Sequence, residues 1–321
     1  MNHTNIKPVA EGGLLSALAV MMILISVYIP LLGIATAIIW PVPIALLGVR
    51  HGLKWSIMAT VTSGVIAAMA LQPLTALQMV VAFGSIGVVI GQAIRLDCSP
   101  LKTMLAASAI SFLGILAVLL LGFVIMGVNP LSLQMDMINE TFTQVIDMYR
   151  STGAFSEAEL ANMSNLTNNS LEYLKVIMPG LMTLSAVFYA LINFMATKAV
   201  LRKLGRQVRS FPPFRHWYLP RKILYIAAVT AVMYYWGNYR SVAPLDDISM
   251  NIGLLLIVLF FVQGLSLFYY LADKYNLSRL TKGIILFLTF TNAFFMEMVF
   301  FAGLWDVVFD YRKLRTPRVS D

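Results

Sequence analysis

The chain has 321 residues, 59% hydrophobic and only 12% charged. Soluble domains are about 25% charged, so this composition cannot coat a water-facing surface and excludes an ordinary soluble domain. The net charge of +8 falls beside apolar runs, which points to membrane topology and anionic headgroups and excludes nucleic acid as the expected partner.

A transmembrane helix needs about 20 largely apolar residues. Such runs occupy 12–29, stopping at Pro30; 32–49, containing Pro41 and Pro43; 53–71, followed by Gln72 and Pro73; 74–94; and 101–128, followed by Asn129 and Pro130. The first run is long enough to span and carries no small-residue cleavage site after it, so it is expected to be a helix and not a removed signal. A polar interval follows. Within it Met135, Ile138, Phe142, Val145, Ile146 and Tyr149 recur at helical spacing, with Asp136, Glu140 and Asp147 between them. That pattern predicts an extracytoplasmic amphipathic helical cap. Ser156 with Glu159 forms a capping box for a second helix, expected to continue into a span at 174–201. A basic stretch reaches Lys222, two more spans follow at 223–239 and 252–271, and a last apolar stretch covers 283–309.

The expected fold is therefore all-α, a polytopic transmembrane bundle of eight or nine spans. Its expected parts are an N-terminal five-helix membrane bundle (1–128), an extracytoplasmic helical loop (129–173) and a C-terminal membrane bundle (174–321) with a basic cytoplasmic loop at 202–222. Orientation follows from Lys and Arg, which concentrate in cytoplasmic loops. Arg50 and Lys54, Arg95 and Lys102, the seven basic residues from Arg202 to Lys222, and Lys274, Arg279 and Lys282 fall on one side when the spans alternate. The predicted location is the cell membrane with a cytoplasmic N-terminus.

The stretch at 283–309 is the exception. Nine full spans put Arg312, Lys313, Arg315 and Arg318 on the outside, whereas a hairpin keeps them in the cytoplasm. As one helix the stretch is about 40 Å long, too long for an untilted span. Asn292 and Glu297 near its middle suit a turn, and both readings stand at this point.

No His-Glu-x-x-His pair, Gly-x-Ser-x-Gly elbow or Walker loop occurs, so no catalytic residue, metal site or cofactor is expected. Small residues recur four apart: Gly13 with Ala17, and Gly87 with Gly91, with Gly84 one turn earlier. Such spacing lets helix backbones approach closely in lipid, either within the bundle or against another membrane subunit. The intramembrane polar groups Gln78, Gln92, Asn193, Gln263, Asn292 and Glu297 are costly in hydrocarbon and mark a cavity or a partner. Pro212, Pro213, Trp217 and Tyr218 beside the loop's basic residues suit anionic headgroups.

The stretch Glu11-Gly12-Gly13-Leu14-Leu15-Ser16-Ala17-Leu18-Ala19, then Tyr28-Ile29-Pro30, then Trp40-Pro41-Val42-Pro43 running on to Arg50-His51-Gly52, resembles the start of the YybS-like bacterial multi-pass membrane proteins. Gly303-Leu304-Trp305-Asp306-Val307-Val308-Phe309-Asp310-Tyr311-Arg312-Lys313 resembles that family's ending. The N-terminal part, to about residue 128, is also similar to substrate-capture (S) subunits of energy-coupling-factor vitamin transporters. That similarity implies a small-residue first helix docking on a membrane partner, here through Gly13 and Ala17, and no ATPase within the chain.

The expected function is small-solute binding or a transport-associated role without its own ATPase. Trp40, Gln78, Gln92, Asn193, Gln263 and Glu297 are the candidate lining groups, and a membrane or ATPase subunit is the candidate partner. The alternative is a scaffold for envelope-assembly or other membrane proteins.

Overall fold

The structure is a computed structural model describing residues 6–240 and 242–314. Arg315 and Arg318, named above as tail charges, lie outside the described residues. The described chain is all-helical. In order the helices are α1 (Ile6–Tyr28), α2 (Pro30–Ile39), α3 (Val42–His51), α4 (Leu53–Ala70), α5 (Pro73–Met79), α6 (Ser85–Arg95), α7 (Pro100–Met126), α8 (Pro130–Thr152), α9 (Glu157–Lys203), α10 (Lys222–Arg240), α11 (Ala243–Lys274), α12 (Arg279–Thr291) and α13 (Ala293–Phe309). A π-helical turn (Val80–Gly84) joins α5 to α6, and a 3-10 turn (Phe214–His216) lies in the basic loop.

Proline sets many of the starts. Pro30, Pro73, Pro100 and Pro130 each open a helix, where the missing N–H has no intrahelical partner to lose. Pro41 and Pro43 break the second span into α2 and α3. Three helices end alike: α6, α9 and α11 close through a residue with positive φ, Asp97 (55°), Gly205 (79°) and Asn276 (52°). In each case the next N–H reaches back into the last turn, as Cys98 N does to Ala93 O and Leu277 N to Ala272 O. Asp, Asn and Gly are the residues that tolerate this left-handed cap. Ser99 and Ser278 then cap the following helices, giving two tight corners.

Among the described residues, seven helical segments are long and apolar enough to cross a membrane, with α2–α3 and α5–α6 counted as one segment each, and eight if α12 and α13 count as one broken span. The upper figure matches the lower of the eight or nine spans expected from the nine apolar runs. The expected span at 223–239 is a helix of 19 residues, α10, less apolar than those seven segments because of its end from Tyr234 to Arg240; with α10 as a crossing and the last stretch as a hairpin, the spans number eight. The last stretch is bent by 104° between α12 and α13. Asn292 caps α13 there, its Oδ1 accepting from Phe294 N at 2.9 Å. Helices of 13 and 17 residues are about 20 and 25 Å long, short of the ~30 Å hydrocarbon core.

The chain divides into two compact units. The first is Met1–Glu172 with Leu181–Ser210; the second is Tyr173–Gly180 with Phe211–Asp321. The expected division at residue 174 assigned all of the sixth span to the C-terminal bundle, whereas most of it groups with the first unit. The reason is local: Asn193 Nδ2 donates to Ile38 O at 2.9 Å, and the Tyr189 ring lies 4.7 Å from that of Phe83.

Within the first unit Glu11 is joined to both Arg50 and His51 at 3.0 Å, tying the start of α1 to the end of α3. The core gathers Ala19, Ile23, Trp40, Ile44, Leu47, Ala59, Ala67 and Ala76. The predicted amphipathic helix is α8, with Met135 and Ile146 buried on its apolar face and Phe142 exposed. The Ser156–Glu159 capping box is present, and the helix it starts runs unbroken for 47 residues.

Within the second unit α11 packs on α10 and α13 around Ile223, Leu256, Phe260 and Val307. Close approach there requires glycine: a Cβ on Gly303 would collide with Phe260 O, and one on Gly264 with Val299 O. Asn251 of α11 solves a separate problem. Pro179 disturbs the hydrogen-bond ladder of α9. The Asn251 carboxamide enters the gap, accepting from Gly180 N at 2.7 Å and donating to Val176 O at 2.8 Å. Those two backbone groups would otherwise bond each other across one helical turn.

Candidate functional site

The small-residue positions separate into two kinds. A Cβ on Gly87 would lie 2.5 Å from Pro41 O, and one on Gly91 2.6 Å from Ala45 O, so both glycines are consumed by the contact of α6 with α3. Gly84 faces Thr60 and Trp40 at 2.7 and 3.2 Å. By contrast, nothing lies within 4 Å of a Cβ on Gly13, and Ala17 is exposed one turn later.

Four of the predicted polar positions lie in the first unit. Trp40, at the break between α2 and α3, is fully buried, and its Nε1 has no hydrogen-bond partner. Asn193 is 1% exposed. Its Nδ2 donates to Ile38 O and Tyr189 O, while its Oδ1 is buried without a partner. Thr197, one turn further along α9, also has a buried, unpartnered hydroxyl. The Trp40 ring packs toward Gly84 of the π-helical turn, and such turns recur at functional sites. Gln92 on α6 is half-buried with its Oε1 unpartnered, and Gln78 on α5 is half-buried. Most buried polar groups in proteins have a partner, so a donor and two acceptor-capable groups left open near one helix break stand out.

The other two positions lie in the second unit, in different surroundings. Glu297 is exposed on α13. Among the described residues the buried acid of that unit is Asp306, 4% exposed, beside Arg312, 5% exposed. Arg312 Nη2 lies 2.8 Å from Asp306 Oδ2. The same guanidinium donates to Arg215 O at 2.6 Å, Ser266 Oγ at 2.8 Å and Trp217 O at 2.7 Å. Gln263 belongs to this cluster: its Nε2 donates to Asp306 Oδ2 at 2.6 Å and its Oε1 accepts from Leu219 N at 3.0 Å. Its amide is thus engaged at both ends in holding the basic loop onto α11 and α13. Arg312, read from sequence as a surface charge that sets topology, is a buried pin.

Sequence reasoning missed Asp306, Arg312, Ser266 and Asn251. The available signal was an acid near the end of an apolar run with an arginine six residues on, in the stretch already singled out for its resemblance. The second unit also holds a cavity of about 460 Å³ whose lining includes Tyr173, Thr230, Tyr234, Phe260 and Phe300. No charged side chain lines it.

With this geometry in place, a family model described as "Predicted membrane protein (DUF2232)" matches residues 17–307. The chain is also 22% identical over 309 residues to the "Uncharacterized protein YybS" of Bacillus subtilis (strain 168), covering 95% of this chain and 97% of that protein. No solved structure matches the chain.

Proposed function

Given that the chain belongs to the DUF2232 family of predicted membrane proteins, we propose that its first unit is a membrane-embedded receptor for a small polar solute, working in transport with energy supplied by a partner. The observation that carries this reading is the pair Trp40 and Asn193. Both are buried, and they present an unpartnered indole N–H and an unpartnered amide oxygen. Leaving such groups unsatisfied costs about 1–3 kcal/mol each, a cost that a solute with one acceptor and one donor removes. Thr197 Oγ1 adds a group able to do either. Glu297, exposed on α13, is not among the contacts proposed.

The test is gentle extraction followed by mass spectrometry of co-purifying small molecules, with thermal titration of any solute found. Trp40→Phe and Asn193→Leu should abolish retention and the solute-induced rise in melting midpoint. The reading is wrong if the wild type retains nothing and both variants melt higher, because apolar replacement then relieves a dry, unsatisfied core.

A second reading, a scaffold for other membrane proteins, is favoured by the open face at Gly13 and Ala17. The same face serves the first reading as the docking surface for a membrane or ATPase subunit. Gly13→Leu should disrupt a cross-linked or co-purified complex without unfolding the chain.

The proposed topology has a cytoplasmic N-terminus, with the basic loop at 202–222 on the same side. The 104° bend supports the hairpin reading of the last stretch, with α12 and α13 dipping about 15–20 Å into the membrane and returning. Arg312 and Lys313 then lie on the cytoplasmic side, in agreement with the other basic loops.

A further inference from the structure

The corner between α6 and α7, with α9 and the segment after it, borders an open cavity of about 160 Å³ whose lining includes Arg95, Asp97, Cys98, Phe194, Arg206 and Arg209; the three arginines and Asp97 are exposed. Three arginines and one aspartate share this lining. Each arginine is anchored by one contact. Arg95 Nη1 donates to Arg50 O at 3.1 Å, and Arg206 Nη1 donates to Val49 O at 3.2 Å. Arg209 Nη2 lies 2.6 Å from Asp97 Oδ2. Two of these contacts fall on the last carbonyls of α3, so capping that helix is the simplest role for Arg95 and Arg206. It does not account for the rest of the arrangement. A guanidinium carries five N–H donors, and one contact leaves most of each fork unused.

The surroundings are shaped to hold these groups. Gly52 has φ of 95°, and a Cβ there would lie 3.3 Å from Arg95 Cζ, so this glycine turn makes room for the Arg95 head. Asp97 sits in the left-handed cap, φ 55°, which turns the chain directly into α7. The cavity is smaller than the roughly 300 Å³ at which drug-sized pockets begin. It lies where α6 ends and α7 begins, which the proposed topology puts at the headgroup level.

We propose that this corner binds a phosphoryl group. Planar guanidinium forks match phosphoryl oxygens two at a time, and the three arginines outnumber the one acid. The group can arrive on an anionic phospholipid headgroup or on a soluble phosphate ester. The proposal is independent of the solute site around Trp40.

Cys98 supplies the assay, because it is the single cysteine of the chain and is half-buried in the cavity lining. Full-length protein in neutral detergent is labelled with a maleimide at constant ionic strength, with inorganic phosphate or with phosphatidylglycerol in mixed micelles. Saturable slowing of labelling, with a parallel rise in melting midpoint, is expected for at least one of them. Protection by phosphatidylglycerol alone assigns a lipid headgroup; protection by inorganic phosphate assigns a soluble ester. Arg209→Gln should weaken the apparent affinity about ten-fold, as loss of one charge-assisted contact does. Arg240→Gln, which removes the same charge from the end of α10, should change nothing. Asp97→Asn should tighten binding several-fold by removing the competing carboxylate. The proposal is overturned if neither probe slows labelling or moves the midpoint, if both arginine variants behave alike, or if Asp97→Asn abolishes binding. Should the native thiol resist labelling altogether, the midpoint titrations decide by the same criteria.

Discussion

Replacing Arg312 by Gln is expected to be among the most damaging single changes outside the proposed solute site. The pair it belongs to is dry: the side chains of Arg312 and Asp306 are 1% and 3% exposed. Removing the guanidinium leaves the Asp306 carboxylate facing only Gln263 Nε2, since the other carboxylate oxygen has no partner. It also strips the donor from the Arg215 carbonyl and leaves the Trp217 carbonyl with Ser266 Oγ alone. Breaking one side of a buried ion pair costs about 3–5 kcal/mol, which lowers a melting midpoint by roughly 5–15 °C for a protein of this size. The loss should be local first. Arg215 and Arg221 lie in the segment that Arg312 holds down, so limited trypsin digestion in detergent should cut at both sites much faster in the variant. Asp306→Asn leaves a neutral, hydrogen-bonding partner and should cost less. In the double variant the two losses should overlap, giving less than their sum. A midpoint within about 2 °C of wild type, equivalent to under ~1 kcal/mol, with unchanged cleavage at Arg215 would refute the view that this cluster pins the loop.

Asn251→Ala should destabilise by about 1–3 kcal/mol, because Gly180 N–H and Val176 O lose their shared partner; denaturant titration should then show much of that loss recovered in the Pro179→Ala/Asn251→Ala double variant, where the helix can close its own ladder. Gly91→Ala forces a methyl to 2.6 Å from Ala45 O and should cost about 1–3 kcal/mol by overpacking. Gly13→Ala, which meets open space, should be neutral or stabilising by up to ~1 kcal/mol, and equal losses at the two positions would sink the distinction between packed and open glycines. In intact cells a membrane-impermeant maleimide should leave Cys98 unlabelled until the membrane is opened, and labelling from outside would reverse the proposed topology.

Much of the fold was legible because lipid imposes a length and a composition on every spanning segment. The turn at Asn292 was readable from a polar residue in the middle of an overlong apolar stretch. The Ser156–Glu159 cap was readable because capping is a local matter of three residues. The aromatic and polar end of α10 makes it the weakest of the runs, since Tyr and Trp look apolar by composition and less so by transfer cost. The candidate sites were only partly legible. A list of intramembrane polar residues does not say which are satisfied. Gln263 and Asn193 look equivalent in sequence, yet one has both ends of its amide engaged and the other keeps an open oxygen.

The sequence by itself determined that this is a multi-pass helical membrane protein, where many of its helices begin and which residues are capable of close packing. Those properties depend on hydropathy, on proline's missing N–H and on glycine's missing side chain, and each is carried by the residue wherever it sits. Only the tertiary structure decided that Gly87 and Gly91 are covered while Gly13 is open, that Asp306 and not Glu297 is the buried acid of the second unit, and that Arg312 holds a loop almost a hundred residues away in the chain. Those outcomes depend on which neighbours arrive in space, and pairing, burial and desolvation are properties of the neighbourhood, not of the residue.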